Sequence, residues 1–179
     1  EWKNARIGEA ILAWERALSL NPWDKNTLGN LRFARRQAQL EMPDWRWHER
    51  YSSVLPANGW IGIATGAFWL WIGMLTLPRL LNWRRTQLQQ ALAATGLTLL
   101  LLTLPALAGL WSRSSVGVIT GDGAKLGLTP TQVPEVLGQL AAGELARVER
   151  ERGDYVYVRA VPDRAGWLPR AQFRRIWQR

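Results

Sequence analysis

Two long stretches without a charged residue, 51–78 and 86–112, dominate the hydrophobic pattern of the chain. Each exceeds the roughly 20 residues that a helix needs to cross the hydrocarbon core of a bilayer. They predict transmembrane helices over 59–78 and 91–111. The second contains the run 97–104, interrupted only by Thr98 and Thr103. Pro105 is expected to kink this helix without ending it, as membrane helices tolerate proline. Trp60 opens the first stretch and Trp111 closes the second, while Trp69, Trp71 and Trp83 fall toward the other side. That spacing resembles two interfacial belts. A pair of buried helices in a water-soluble core is the competing reading, but a chain this small could hardly cover both. Gly62 and Gly66 form a Gly-x-x-x-Gly spacing that can seat a neighbouring helix. Neither stretch carries an ionisable residue inside it, so the pair reads as an anchor and not as a transport pathway.

Upstream, Ile7, Ile11, Trp14, Leu18 and Leu20 recur at helical spacing until Asn21-Pro22 breaks the chain. Asp24 is placed to cap a second helix reaching to about Leu40, with Leu28, Leu31, Phe33, Ala34 and Ala38 on its buried side. Residues 41–58 read as a linker. The single histidine, His48, stands beside Glu49 and Arg50 and reads as a solvated surface residue.

Beyond Trp111 the pattern shortens to strands and turns. Strands are predicted over 115–120, 124–128, 145–149, 155–161 and 166–168. Turns fall at Gly121-Asp122-Gly123, Arg152-Gly153-Asp154 and Pro162-Asp163-Arg164. Val156 and Val158 alternate with Tyr155 and Tyr157, so the valines are expected inside and the tyrosines outside. Trp167 is assigned to the core ahead of a ligand surface. Tyr155, Tyr157 and Trp167 remain the candidate surface for a ligand or partner. Short strands with turns at this spacing predict a small barrel.

Charge alters the picture little. Residues 1–50 hold nine Lys/Arg against seven Asp/Glu, 51–111 three against none, and 112–179 eleven against seven. The excess of +9 is spread thinly, without the concentrated stripe that nucleic acid demands. Cysteine is absent, and no spacing of His, Asp or Glu matches a metal site or a phosphate-binding loop. No catalytic residue, cofactor or metal is assigned, and the chain reads as a non-enzyme. The short connection 79–90 carries Arg79, Arg84 and Arg85 and no acid. The positive-inside rule places it in the cytoplasm and both termini outside.

The spacing Ala10-x-x-x-Trp14-x-x-Ala17-x-x-x-x-Pro22 resembles the second half of a tetratricopeptide repeat. The resemblance implies small residues at a close helix approach, an aromatic filler and a proline between repeats. The repeat's first helix is expected to precede Glu1. The segments Leu140-Ala141-Ala142-Gly143-Glu144, Gly153-Asp154-Tyr155-Val156-Tyr157-Val158-Arg159 and Arg164-Ala165-Gly166-Trp167-Leu168-Pro169 resemble a bacterial SH3-like (SH3b) domain over 115–177. That type is associated with peptidoglycan peptides in some cell-wall proteins. No acidic loop lies near 121–134, so polyproline recognition is not implied. The order of parts is TPR-like helices (1–40), linker (41–58), two-helix hairpin and SH3-like barrel. It resembles membrane-anchored tetratricopeptide proteins of the BatE sort from bacterial aerotolerance operons. The resemblance implies an α plus β scaffold in the bacterial inner membrane. Its implied partners are the lipid bilayer, other envelope proteins and, in the alternative, peptidoglycan, with no nucleic acid.

Overall fold

The computed structural model describes residues 6–41, 45–82, 86–131, 135–160 and 164–177. Among these the chain forms five α-helices and one seven-stranded antiparallel sheet. It divides into two compact units, one from Glu1–Trp45 with Trp111–Arg179 and one from Arg46–Leu110.

The first unit joins two helices to the sheet. α1 (Ile7–Leu20) and α2 (Lys25–Gln37) are separated by the Asn21-Pro22 break. Asp24 caps α2 as expected, accepting from the Asn26 and Thr27 amides at 3.0 and 3.3 Å and from the Thr27 hydroxyl at 2.6 Å. The Thr27 bonds, side chain first, hold its carboxyl below the ordinary value of 3.8. The strands are β1 (Val116–Ile119), β2 (Ala124–Gly127), β3 (Val136–Leu140), β4 (Leu145–Arg152), β5 (Tyr155–Ala160), β6 (Arg164–Pro169) and β7 (Phe173–Arg175), with a 3₁₀ turn at Arg170–Gln172 before the last.

The sheet order is β3-β2-β6-β5-β4-β1-β7, and it is open. The closed barrel expected from the sequence is therefore corrected. β3 and β7 are edges with no ladder between them among the described residues. One core nevertheless links both edges: Leu140 of β3 and Phe173 of β7 join Ile119, Leu126, Val156, Val158 and Leu168. The sheet thus curls around its inner face without zipping. Arg164 of β6 reaches past β2, donating to the Gln139 carbonyl of β3 at 3.0 Å and pairing with the Glu144 carboxylate in the β3–β4 turn.

β1 is buried along its whole length, because it is covered on both faces. Ile119 points into the sheet core, while Val116 and Val118 meet Ile11, Leu12, Leu31 and Ala34 of the helices. A strand buried on both faces loses polar alternation, as its Val-Gly-Val-Ile sequence does. The close approach of α1 is made at Gly8, where a Cβ would sit 2.7 Å from the Ile119 carbonyl oxygen. It is also made at Gly143, whose φ of +90° suits the turn and whose missing side chain leaves room for Ile11 and Leu40.

The second unit holds α3 (Trp47–Ser52), which falls where a linker was expected. It also holds α4 (Ala57–Leu80) and most of α5 (Gln87–Arg113). Both long helices exceed the predicted spans at each end and are apolar and long enough to cross a membrane. At about 1.5 Å per residue they measure roughly 36 and 40 Å, against a hydrocarbon core of about 30 Å. Pro78 and Pro105 lie inside the helices and end neither. Arg84, Arg85 and Trp83 lie outside the described residues.

Candidate partner-binding surface

The tyrosines take the positions that alternation assigns them. Val156 and Val158 are buried, and Tyr155 and Tyr157 are half-buried on the opposite face. Trp167 is also half-buried, while its neighbours Gly166 and Leu168 are buried. The core assignment of Trp167 is corrected: the register pairs it with Tyr157, and that places it on the outer face. The two rings meet edge to face at 5.4 Å and 68°. Tyr155 pairs with Pro169 one step along. Tyr155, Trp167 and Pro169 line a pocket of about 260 Å³ together with Lys125, Thr129 and Thr131.

The rest of that face is cationic. A bulge between Val148 and Arg150 sets Arg150 opposite Tyr157 and Arg152 opposite Tyr155. Both arginines and Lys125 are exposed. Glu149, the extra residue of the bulge, is held by Arg159 at 2.6 Å. The helices α1 and α2 cover the β1 end of the sheet and leave this aromatic and cationic part open.

The repeat-motif residues divide. Ala10 is buried and Trp14 half-buried against the sheet-facing cluster, and Pro22 follows the end of α1. Ala17 is exposed, so among the described residues no helix approaches it. Phe33, expected inside, is 54% exposed, and Leu20 at the end of α1 is 75% exposed. The apolar sides instead accommodate a charge pair that sequence reasoning missed. Glu15 and Arg35 are both buried and bond at 2.5 Å. Burial pushes the Glu15 carboxyl above its ordinary 4.5, against the pull of Arg35 and Arg113. Its spacing four residues after Ile11 and eight after Ile7 is the signal that could have placed it inside. Arg113 in turn lies over the Trp45 ring at 5.3 Å.

In the second unit the contact between α4 and α5 is made away from Gly62 and Gly66. Nothing stands within 4 Å of the Cβ either would carry. The close contact is at Gly96 of α5, where a Cβ would lie 2.8 Å from the Trp71 amide nitrogen and 3.0 Å from the Ala67 carbonyl oxygen. A second approach sets Gly109 against His48 and Ser52. Trp60, expected in an interfacial belt, is buried against Tyr51 at 5.0 Å and donates to the Ser52 carbonyl at 3.0 Å. His48 is half-buried, with its ring against Trp47. Outward the helices present apolar side chains: only 11% of the most apolar stretch of α4 and 22% of that of α5 is buried. Core helices of a water-soluble fold would be mostly covered.

Compared with known proteins, the chain matches no family model, no curated protein and no solved structure. The tetratricopeptide and SH3-like resemblances therefore rest on the residues quoted for them.

Proposed function

We propose that this chain is a non-enzymatic scaffold of the bacterial inner membrane, held there by α4 and α5, which presents its helix-backed sheet to partner proteins. The observation that carries the reading is the outward apolar surface of two helices, each long enough to span hydrocarbon and free of charge along its middle. Both termini are extracytoplasmic in this reading, since the connection between the helices carries arginine and no acid. The part order supports a place beside Bat-type aerotolerance components. Reporter fusions at each terminus and within 79–90, combined with crosslinking in native membranes, test it. External signal from both ends with recovery of specific partners is expected. Cytoplasmic ends, or no partner recovered from abundant full-length protein, would sink it.

The aromatic pocket favours one further reading, a cell-wall sensor or anchor. Tyr155 and Trp167 beside Thr129 and Thr131 combine ring faces with hydroxyls, a lining suited to a sugar–peptide polymer. Retention of the detergent-solubilised chain on purified sacculi, lost in Trp167→Ala, is its signature. Unchanged retention in that variant would reject it.

A further inference from the structure

We propose that the uncovered outer face of the sheet binds an acidic peptide segment of a partner protein. Lys125, Arg150 and Arg152 receive its carboxylates, and the rings of Tyr155, Tyr157 and Trp167 receive its apolar side chains. This inference rests on the scaffold reading and names the chemistry of the partner.

The first support is unspent charge. Most arginines elsewhere on the sheet are engaged within the fold, Arg174 at the β7 edge excepted. Arg147 donates to the Ser112 carbonyl and hydroxyl at 2.9 and 2.8 Å, Arg164 holds Glu144, and Arg175 holds Glu151. By contrast, the side chains of Lys125, Arg150 and Arg152 have no hydrogen-bond or ion-pair partner among the described residues. Glu149, the acid at the bulge, is already bound by Arg159. The surface is therefore complementary to added negative charge.

The second support is interleaving. Cross-strand pairing alternates cation and ring along one face, Arg150 with Tyr157 and Arg152 with Tyr155, and Lys125 shares the pocket wall with Tyr155 and Trp167. A partner must therefore offer carboxylates and apolar groups at short intervals, as an acidic peptide does. The pocket of about 260 Å³ suits one side chain of such a peptide. Single-stranded nucleic acid fits less well, because the edge-to-face packing of Tyr157 and Trp167 presents no pair of parallel platforms for stacked bases. A lipid surface fits less well too, since the rings are half-buried and do not stand proud to insert.

Fluorescence anisotropy on the full chain in detergent micelles tests the inference. The probe is a short labelled peptide of alternating glutamate and leucine, beside the same peptide with glutamine for glutamate. The glutamate peptide is expected to bind. The glutamine peptide, and the glutamate peptide on the Arg150→Gln/Arg152→Gln variant, are expected to bind about tenfold more weakly. Arg150→Lys/Arg152→Lys, which keeps the charge, and Arg174→Gln, at the β7 edge beside α1 and away from these strands, are expected to retain most of the affinity, with an unchanged melting temperature for all variants. Equal binding of the two peptides, binding of neither, or an equal loss in Arg174→Gln would overturn the proposal. So would stronger binding to phosphatidylglycerol vesicles or to an oligothymidylate than to the peptide. Because peptide binding is measured on purified protein, its failure is separable from a failure to recover partners in membranes.

Discussion

Glu15 and Arg35 are costly to keep apart. Each is desolvated, and each is the other's close partner at 2.5 Å. Replacing Arg35 by alanine leaves a buried carboxylate and is expected to cost about 3–5 kcal/mol, read as a lowered unfolding midpoint of the solubilised chain. Replacing both together by Leu and Met is expected to cost far less, because the desolvation cost goes with the charges. The pair also sets a pH response. Burial raises the folded-state value of Glu15 above 4.5, so the fold favours its protonated form. Its contribution is complete below 4.5 and is lost as pH rises through the raised value. Melting curves across that window should show a decline with pH that Glu15→Gln flattens; an unchanged slope in the variant would contradict this. Charge at such a position is hard to read from sequence, since Glu and Arg ordinarily mark a solvated face. Arg150 and Arg152 were hidden for a different reason. Strict alternation from Ala146 would put Glu149 and Glu151 on the outer face. The single extra residue of the bulge exchanges them for the arginines.

Among elements, the five strands legible in the pattern are the five interior ones, β2, β6, β5, β4 and β1. The two that were missed, β3 and β7, are the edges. Among the interior strands, β5 and β6 bury every second position and β1 is buried throughout. β3 buries only Leu140 and contains Gly138, and β7 is three residues long with two arginines. Edges need less apolar sequence, and charge and brevity protect them from pairing with other chains. That same weakness of signal made an open sheet read as a barrel. The long helices were legible because charge is absent over a length that few other structures require. Their contact was not, since any small residue permits close approach and geometry alone selects Gly96. Gly96→Val is therefore expected to weaken the α4–α5 hairpin by about 1–3 kcal/mol, whereas Gly66→Val should be near neutral. Unfolding in mixed micelles, followed by tryptophan fluorescence, separates the two. Equal effects would reject Gly96 as the contact.

At the scale of the whole molecule, the sequence reading treats 1–40 and 115–177 as separate domains, but their contacts join them in one unit. Without α1 and α2, Val116, Val118 and Ile176 would lose their cover. A chain lacking residues 1–41 is therefore expected to aggregate or bind a hydrophobic dye when solubilised, and full-length protein should not. A soluble, dye-negative truncation would show that the sheet stands alone. The cover is mutual: β1 and the residues just past β7, Ile176 and Trp177, close off apolar sides of α1 and α2. Arg16 ties the ends most directly, donating to the carbonyls of Arg175 and Ile176 across 159 and 160 positions of chain. That separation has a consequence for biosynthesis. The ribosome delivers α1 and α2 first, then both apolar helices, and β7 last. The N-terminal helices must wait, part of their apolar sides uncovered, until the strands beyond both apolar helices have been made. During that interval they are a natural client for a chaperone, and a chain stalled before Phe173 would carry a marked defect for quality control to find.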